Sequence, residues 1–323
     1  MSCHAFRAST ARYLFLALLL STLAMFTPAV EAGGTTYQLS PGDDIQAAIN
    51  EAVTGDTIQL SMGTYNITTV LDISGKGINV VGETDTVGNP SSILNGGDEV
   101  RIFKSSNLEM VDVVLSNLVI TGGRGDTEYP YYGSGGGMYC SNTNLEIVNC
   151  NFVGNTSRGN GGGGMYLRET NLKMTNCMFS MNTCEDYGSG AGILCLSCDL
   201  DLDGCTFTGN VSRGTGGIHA RQQTSLSLND CIFEGNTGSG VYIDDGSSTF
   251  ADCTFVGNPS QYGGGIRSEY SALTIDRSFF KSNTATSYGG GIFLRYGNED
   301  DDVAFTMTEC LFCENSGLNG TNR

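Results

Sequence analysis

Five residues able to move protons or neutralise charge lie close together in repeat space: His219 with Arg221, then Asp244, then Arg267 with Glu269. Arg221, Asp244 and Glu269 follow one another at 23 and 25 residues, a spacing that sets them side by side if one coil of chain has that length. A guanidinium beside a base suits removal of the proton next to a carboxylate, because it neutralises the charge that develops. Arg221 or Arg267 can serve either task, and His219 is the one histidine beyond the amino-terminal segment. Asp244 and Glu269 are the pair that glycoside hydrolysis would need. Tyr139, Tyr166, Arg168, Tyr242, Phe293 and Arg295 occupy equivalent places nearby, and such rings and guanidinium groups stack on sugars and bind uronate carboxylates. The same residues also have a plainer role, since aromatic and β-prone side chains pack across strands and charges keep a sheet soluble.

What aligns these positions is a repeat. Phe-x-x-Asn recurs at Phe152, Phe179, Phe207, Phe233, Phe255, Phe280 and Phe312, with its asparagines 27, 28, 26, 22, 25 and 32 residues apart. Two positions before each Phe stands a cysteine, except at Ser278, and a glycine run ending in an apolar residue precedes every copy. Seven copies of a two-part signature define a repeat architecture. Short alternating runs such as Leu145-Glu146-Ile147-Val148, punctuated by Gly, Asn, Ser and Thr, read as strands. A unit of this length holds about three short strands and three turns, which is one coil of an all-β, single-stranded parallel β-helix, or solenoid. Coils hydrogen-bond at about 4.8 Å, so equivalent side chains stack in columns. Inward phenylalanines should therefore stack, turn asparagines should form an amide ladder, and glycines should supply positive φ at tight corners. Tyr132, Tyr187, Tyr262 and Tyr288, which precede glycine runs, should lie over those corners as lids. If Met138, Met165, Ile193, Ile218, Val241, Ile266 and Ile292 face inward, the next column faces solvent: Tyr139, Tyr166, Leu194, His219, Tyr242, Arg267 and Phe293. Two positions on comes Ser141, Arg168, Leu196, Arg221, Asp244, Glu269 and Arg295.

The opening of the chain divides differently. Residues 1–32 read as a signal peptide, with Arg7 and Arg12 ahead of an apolar Leu14–Phe26 and a small-residue site after Ala32. Residues 33–107 form the amino-terminal cap and first coils, and 108–323 the repeat coils. A short capping helix is expected where Ile45, Ala48, Ile49 and Ala52 share one face, with Asp43 as its cap and Gly55 as its stop, followed by a strand at Thr57–Leu60. The carboxy-terminal end is expected to lack a cap, which suggests self-association through that coil or a place in a longer repeat protein.

The segment from Asp43 to Ile67 resembles the opening of right-handed parallel β-helix proteins of the pectin-lyase-like superfamily. The Gly-rich and Phe-x-x-Asn coils resemble the repeats of polymorphic outer membrane proteins, and together the two matches span Tyr37 to Asn315. The resemblance implies a right-handed coil and a superfamily that includes lyases, hydrolases, epimerases and adhesins. The Asn-Thr-Asp, Gly-His-Gly and Arg-Ile-Lys signatures of pectin hydrolases and the Asp-Pro-His-Glu of alginate epimerases are absent.

Composition narrows the partners. The formal charge of −18 argues against nucleic acid and anionic lipid, both of which need a positive footprint. A leader without a second apolar stretch implies an extracellular or cell-surface protein with no transmembrane segment in the mature chain. Polysaccharide or cell-surface glycan is the expected partner, and the first expectation is an adhesin-like binder without catalysis. A polysaccharide lyase or epimerase acting on an acidic polysaccharide is the alternative. Of twelve cysteines, six share one column, too far apart for easy bridging, so buried thiols are expected there. Cys184, Cys198 and Cys313 are the better disulfide candidates. No protein metal site and no cofactor is expected; Glu299-Asp300-Asp301-Asp302 could attract calcium, although a solvated loop reads the same way. Asn66 and Asn319 are the glycosylation candidates, with the sequon asparagines Asn155 and Asn210 shielded in the ladder.

Overall fold

A computed structural model of the chain describes residues 4–5, 34–125, 134–185, 188–295 and 304–317. Within them the backbone winds through about nine coils of an all-β parallel β-helix, and Ile45–Glu51 is the helix. Asn319, the Glu299–Asp302 run, Tyr132 and Tyr187 lie outside the described residues.

Each coil contributes short strands that pair in parallel with the same strands one coil away. One sheet runs from Gly63–Asn66 through Asn151–Val153, Met178–Ser180 and Thr206–Thr208 to Leu311–Cys313. A second contains long strands that bend round a corner, such as Met138–Val148 and Val211–Asn229, so that one strand serves two faces. A third joins Pro259–Tyr262, Thr284–Tyr288 and Ser316–Gly317. Phe152 stands opposite Phe179, and Phe179 opposite Phe207, which is the register the repeat demands.

That register makes the core. The seven repeat phenylalanines stack with ring centroids 4.6–5.0 Å apart and planes within 10°. The column continues towards the amino terminus through Ile120, Leu94 and Tyr65. The ring also explains the last glycine of each run: a methyl group on Gly192 would lie 2.9 Å from Phe207 Cδ1. Glycine run and phenylalanine therefore recur together because they touch across the interior.

The asparagines form the expected ladder. Asn210 Oδ1 accepts from the backbone N–H of Asn182 at 3.0 Å and from its Nδ2 at 2.9 Å. Asn210 Nδ2 donates to Asn236 Oδ1 and to the Phe179 carbonyl, each at 2.9 Å. A carboxamide is needed because one side chain must both accept and donate while buried. The cysteine column is built from free, buried thiols, as expected. Each donates to the carbonyl two residues earlier at 3.2–3.4 Å, and Ser278 Oγ makes the same bond at 2.9 Å, so serine can replace cysteine there. Cys313 is disulfide-bonded. Cys184 and Cys198 are not: both are buried thiols, and burial pushes each up to about 12. Spacing alone identified turns, but these two side chains point into packed surroundings.

The capping helix buries Ile45, Ala48 and Ile49 on the first coils. Its cap is Asp44, not Asp43: Asp44 accepts from the Ala47 N–H at 3.0 Å, whereas Asp43 closes the preceding turn by accepting from the Ser40 N–H. The helix also ends before Gly55, at Glu51, where Lys76 Nζ donates to the carbonyls of Ile49, Asn50 and Ala52. A cation there satisfies end carbonyls and opposes the negative end of the helix dipole. At the far end, Ile292, Leu294, Phe305, Met307 and Phe312 pack on the core but remain partly exposed. His4–Ala5 pairs antiparallel with Leu311–Phe312 along that edge. No helix among the described residues is long and apolar enough to cross a membrane.

Candidate functional site

The strand pairing brings the acid–base residues together as the repeat required. His219, Tyr242, Arg267 and Phe293 are register partners on successive coils, and Arg221, Asp244, Glu269 and Arg295 form the column beside them. Tyr139, Tyr166 and Arg168 extend these columns on earlier coils.

The first column is not the open face that alternation suggested. Tyr139, Tyr166, Leu194 and His219 are only 8%, 9%, 3% and 5% exposed, and Tyr139, Tyr166 and Leu194 form a small apolar cluster outside the main core. Alternation does send these side chains outward, but the chain then folds back over them. At Gly161, with φ +137°, the corner of the preceding coil approaches so closely that a methyl group would lie 3.0 Å from Leu194 Cδ2. Only towards Tyr242, Arg267 and Phe293 does the column become half-exposed.

The polar groups satisfy one another. Arg267 donates to Glu269 Oε1 from Nη2 at 2.8 Å and from Nε at 3.1 Å, while the Tyr242 hydroxyl donates to Oε2 at 3.0 Å. Glu269 is thus a buried carboxylate with both oxygens engaged. Burial, aided by Asp244 and Glu269, pushes the Tyr242 hydroxyl above its ordinary range, so it keeps the proton it donates. The Arg267 guanidinium lies 4.2 Å from the Tyr242 ring centre and 5.4 Å from that of Tyr262. Arg221 Nε sits 3.5 Å from Asp244 Oδ2. Asp244 and Glu269, the hydrolase pair, are each held by an arginine.

His219 stacks on Tyr242 with centroids 4.4 Å apart. Among the described residues neither ring nitrogen has a hydrogen-bond partner, nor does the buried Thr215 hydroxyl of the same coil. Burial, then the charges of Arg221 and Arg267, lower the imidazole to about 3. The unfolded chain takes up this proton near pH 6.5, whereas the native chain does not until far lower pH. Stability that is complete above pH 6.5 is therefore lost as pH falls towards 3, at about 1.4 kcal/mol per unit. His219→Phe should keep the stack and remove that slope, gaining about 2 kcal/mol over the wild type at pH 5 in urea unfolding. Equal pH dependence in the two proteins would contradict the buried neutral imidazole.

Several residues join this site that sequence reasoning placed elsewhere. Tyr262 and Tyr288, expected as lids, pair in register and stack at 6.1 Å, and Tyr262 meets Phe293 at 5.2 Å. Tyr270, exposed at the turn after Glu269, lies 5.5 Å beneath the Arg295 guanidinium. Two grooves lie elsewhere. One, of about 540 Å³, includes Asp112, Asn144, Asn171, Asp199 and Lys173, and the other, of about 560 Å³, includes Ser212, Arg213, Thr237 and Ser260. None of the five acid–base candidates lines either groove. No group of three or more His, Cys, Asp or Glu among the described residues is arranged to hold a metal ion. Asn155 and Asn210 are fully buried, and Asn66 is exposed.

Residues 216–316 match the family model described as a right handed beta helix region. Among solved structures, the chain is similar to a PL6 family alginate lyase at 12% identity and a TM-score of 0.45, covering 80% of this chain and 40% of that one. It is similar to a pectin methylesterase crystallised with a hexasaccharide at 9% identity and a TM-score of 0.43, covering 90% and 92% of the two chains. The mannuronan C-5 epimerase A-module of Azotobacter vinelandii matches at 12% identity and a TM-score of 0.38, covering 86% and 84%. The chain thus spans two fifths of the length of the alginate lyase. Comparison with curated proteins finds no match.

Proposed function

Starting from a right-handed parallel β-helix, we propose that the protein is a secreted or surface-displayed β-helix that binds acidic glycans on its outward columns without cleaving them. The observation that carries this reading is the closed network around Glu269. Arg267 and Tyr242 occupy both carboxylate oxygens, Arg221 holds Asp244, and His219 is sealed and neutral. A lyase or epimerase needs a base with an open acceptor beside its substrate, whereas both oxygens of Glu269 are occupied and His219 is covered. What the face does offer solvent is charge and ring area. Arg168, Arg221 and Arg295 are exposed along one column, beside half-buried Tyr242 and Phe293. Such guanidinium groups bind carboxylates in paired hydrogen bonds.

A panel of uronate polysaccharides, titrated calorimetrically against the full chain, tests this. At least one should bind, and the triple change Arg168→Ala, Arg221→Ala and Arg295→Ala should weaken it by about a hundredfold, the loss of two to three charge-assisted contacts. Undiminished binding by the triple variant would remove the outward column from the reading.

A further inference from the structure

The last described coil leaves uncovered what each earlier coil hands to the next. Leu311–Cys313 is the final coil strand of its eleven-stranded sheet, paired on the inner side with Phe279–Lys281. The Leu311 N–H donates inward to the Ser278 carbonyl at 3.0 Å, and the Cys313 carbonyl accepts inward from the Ser282 N–H at 2.9 Å. Strand geometry therefore turns the N–H and C=O of Phe312, which lies between them, to the open side. Phe255 and Phe280 are fully buried in the ring column, whereas Phe312 is only partly so, together with Ile292, Leu294, Phe305 and Met307. The amide ladder stops here too. Asn315 Oδ1 accepts from the Asn283 N–H, and among the described residues no further asparagine stands beyond to accept from Asn315.

One segment does lie on this edge. His4–Ala5 pairs with it antiparallel, His4 opposite Phe312 and Ala5 opposite Leu311, although the neighbouring coils pair in parallel. The edge thus accepts a strand of opposite direction, and the strand it holds comes from residues 1–32, which read as a removable leader. We propose that this edge is a twofold interface between two copies of the chain, closed by the amino-terminal strand until the leader is removed. The proposal rests on the secreted half of the reading above and not on its sugar. A twofold axis sets a strand antiparallel to its own copy, the direction this edge already takes. Centred on Phe312, it places the two outward-facing peptide units opposite each other, where antiparallel partners exchange both hydrogen bonds. The partly exposed apolar residues of the two last coils then cover one another, as neighbouring coils do within a solenoid. A strand from an unrelated protein would satisfy the backbone but would leave that apolar layer bare.

Light scattering and sedimentation equilibrium on three proteins test this: the full chain, the chain begun at Gly33, and the latter with Leu311→Lys. Residues 34–317 contain every described coil and the capping helix, so the shorter chain lacks only the leader. It should have the mass of two copies at concentrations where the full chain has the mass of one. Leu311 is 36% exposed, so lysine is tolerated by the fold, and a charge on an edge strand opposes pairing. Leu311→Lys should weaken association at least about tenfold. Ile232→Lys is the control, because Ile232 is 40% exposed at the equivalent place on an inner coil, linked to Leu311 through Thr254 and Phe279. It should leave association unchanged. A shorter chain that stays monomeric overturns the interface, as does an equal loss in the two lysine variants, which would move the contact to the flat face of the sheet. A full chain that dimerises as tightly as the shorter one overturns closure by the amino-terminal strand. None of these outcomes depends on a glycan, so failure of the uronate panel and failure of this interface are read apart.

Discussion

Phe207→Ala is expected to lower the unfolding free energy by about 3–5 kcal/mol, the largest effect of any single change considered. Phe207 is fully buried and stacks between Phe179 and Phe233 at 4.9 Å on each side. Alanine removes the ring from the continuous hydrophobic interior and leaves a cavity that the coils above and below cannot fill, because hydrogen bonding fixes their spacing. The stacking itself adds about 0.5–1.5 kcal/mol per ring pair. Phe207→Leu should recover most of the loss, to within about 1.5 kcal/mol of the wild type, since the same column is completed by Leu94 and Ile120 on earlier coils. Urea unfolding followed by far-ultraviolet circular dichroism reads both variants. Because a solenoid is stabilised by neighbour contacts, the loss should appear as a split or broadened transition at the damaged coil.

Asn210→Ala is expected to cost about 3 kcal/mol for a different reason. No large volume is lost. Instead, the buried backbone N–H of Asn182 and the carbonyl of Phe179 each lose the partner that Asn210 supplied. An orphaned buried polar group costs about 1–3 kcal/mol. Asn210→Asp should be no rescue, because it exchanges two donors for a charge at a fully buried position. Asn171→Ala is the control: Asn171 also donates to an asparagine one coil away, at 2.9 Å, but on an exposed face. Its change should stay within about 0.5 kcal/mol, measured in the same unfolding experiment. Equal losses at Asn171 and Asn210 would mean that burial does not govern the ladder.

The sequence made the coil legible because stacking forces equivalent residues to be alike. A phenylalanine wants a ring above it, and a ladder asparagine must supply a donor and an acceptor at the reach of its own short side chain. The pairing of the last glycine with phenylalanine could also have been read, since the two recur together, but it takes the packed core to show that they touch. Local signals fared less well where two residues could do one task. Asp43 and Asp44 adjoin, and only the extended backbone of Asp44 and its bond to Ala47 distinguish the cap. Cysteine spacing likewise located turns without revealing that Cys184 and Cys198 are enclosed.

The candidate site was half legible for a related reason. Alternation tells which side of a strand a residue takes, and it correctly grouped His219, Arg221, Asp244, Arg267 and Glu269. It says nothing of what lies above that side. The burial of His219, and the arginine and tyrosine that occupy Glu269, arise from contacts between coils. Tyr262 and Tyr288 carried a signal all along, a tyrosine ahead of successive glycine runs. That signal pointed to a lid over the corner; among the described residues the two rings lie beside Phe293, with Tyr262 also 5.4 Å from the Arg267 guanidinium.

The central functional claim is that this face holds an acidic sugar without breaking it. Mass spectrometry of a uronate oligosaccharide recovered after prolonged incubation with the purified chain tests it most directly. The account predicts oligosaccharide of unchanged length, with every ring saturated. Shortened products bearing an unsaturated terminal ring, lost in the double variant Arg221→Ala, Arg267→Ala, would contradict it and make the outward columns an active site.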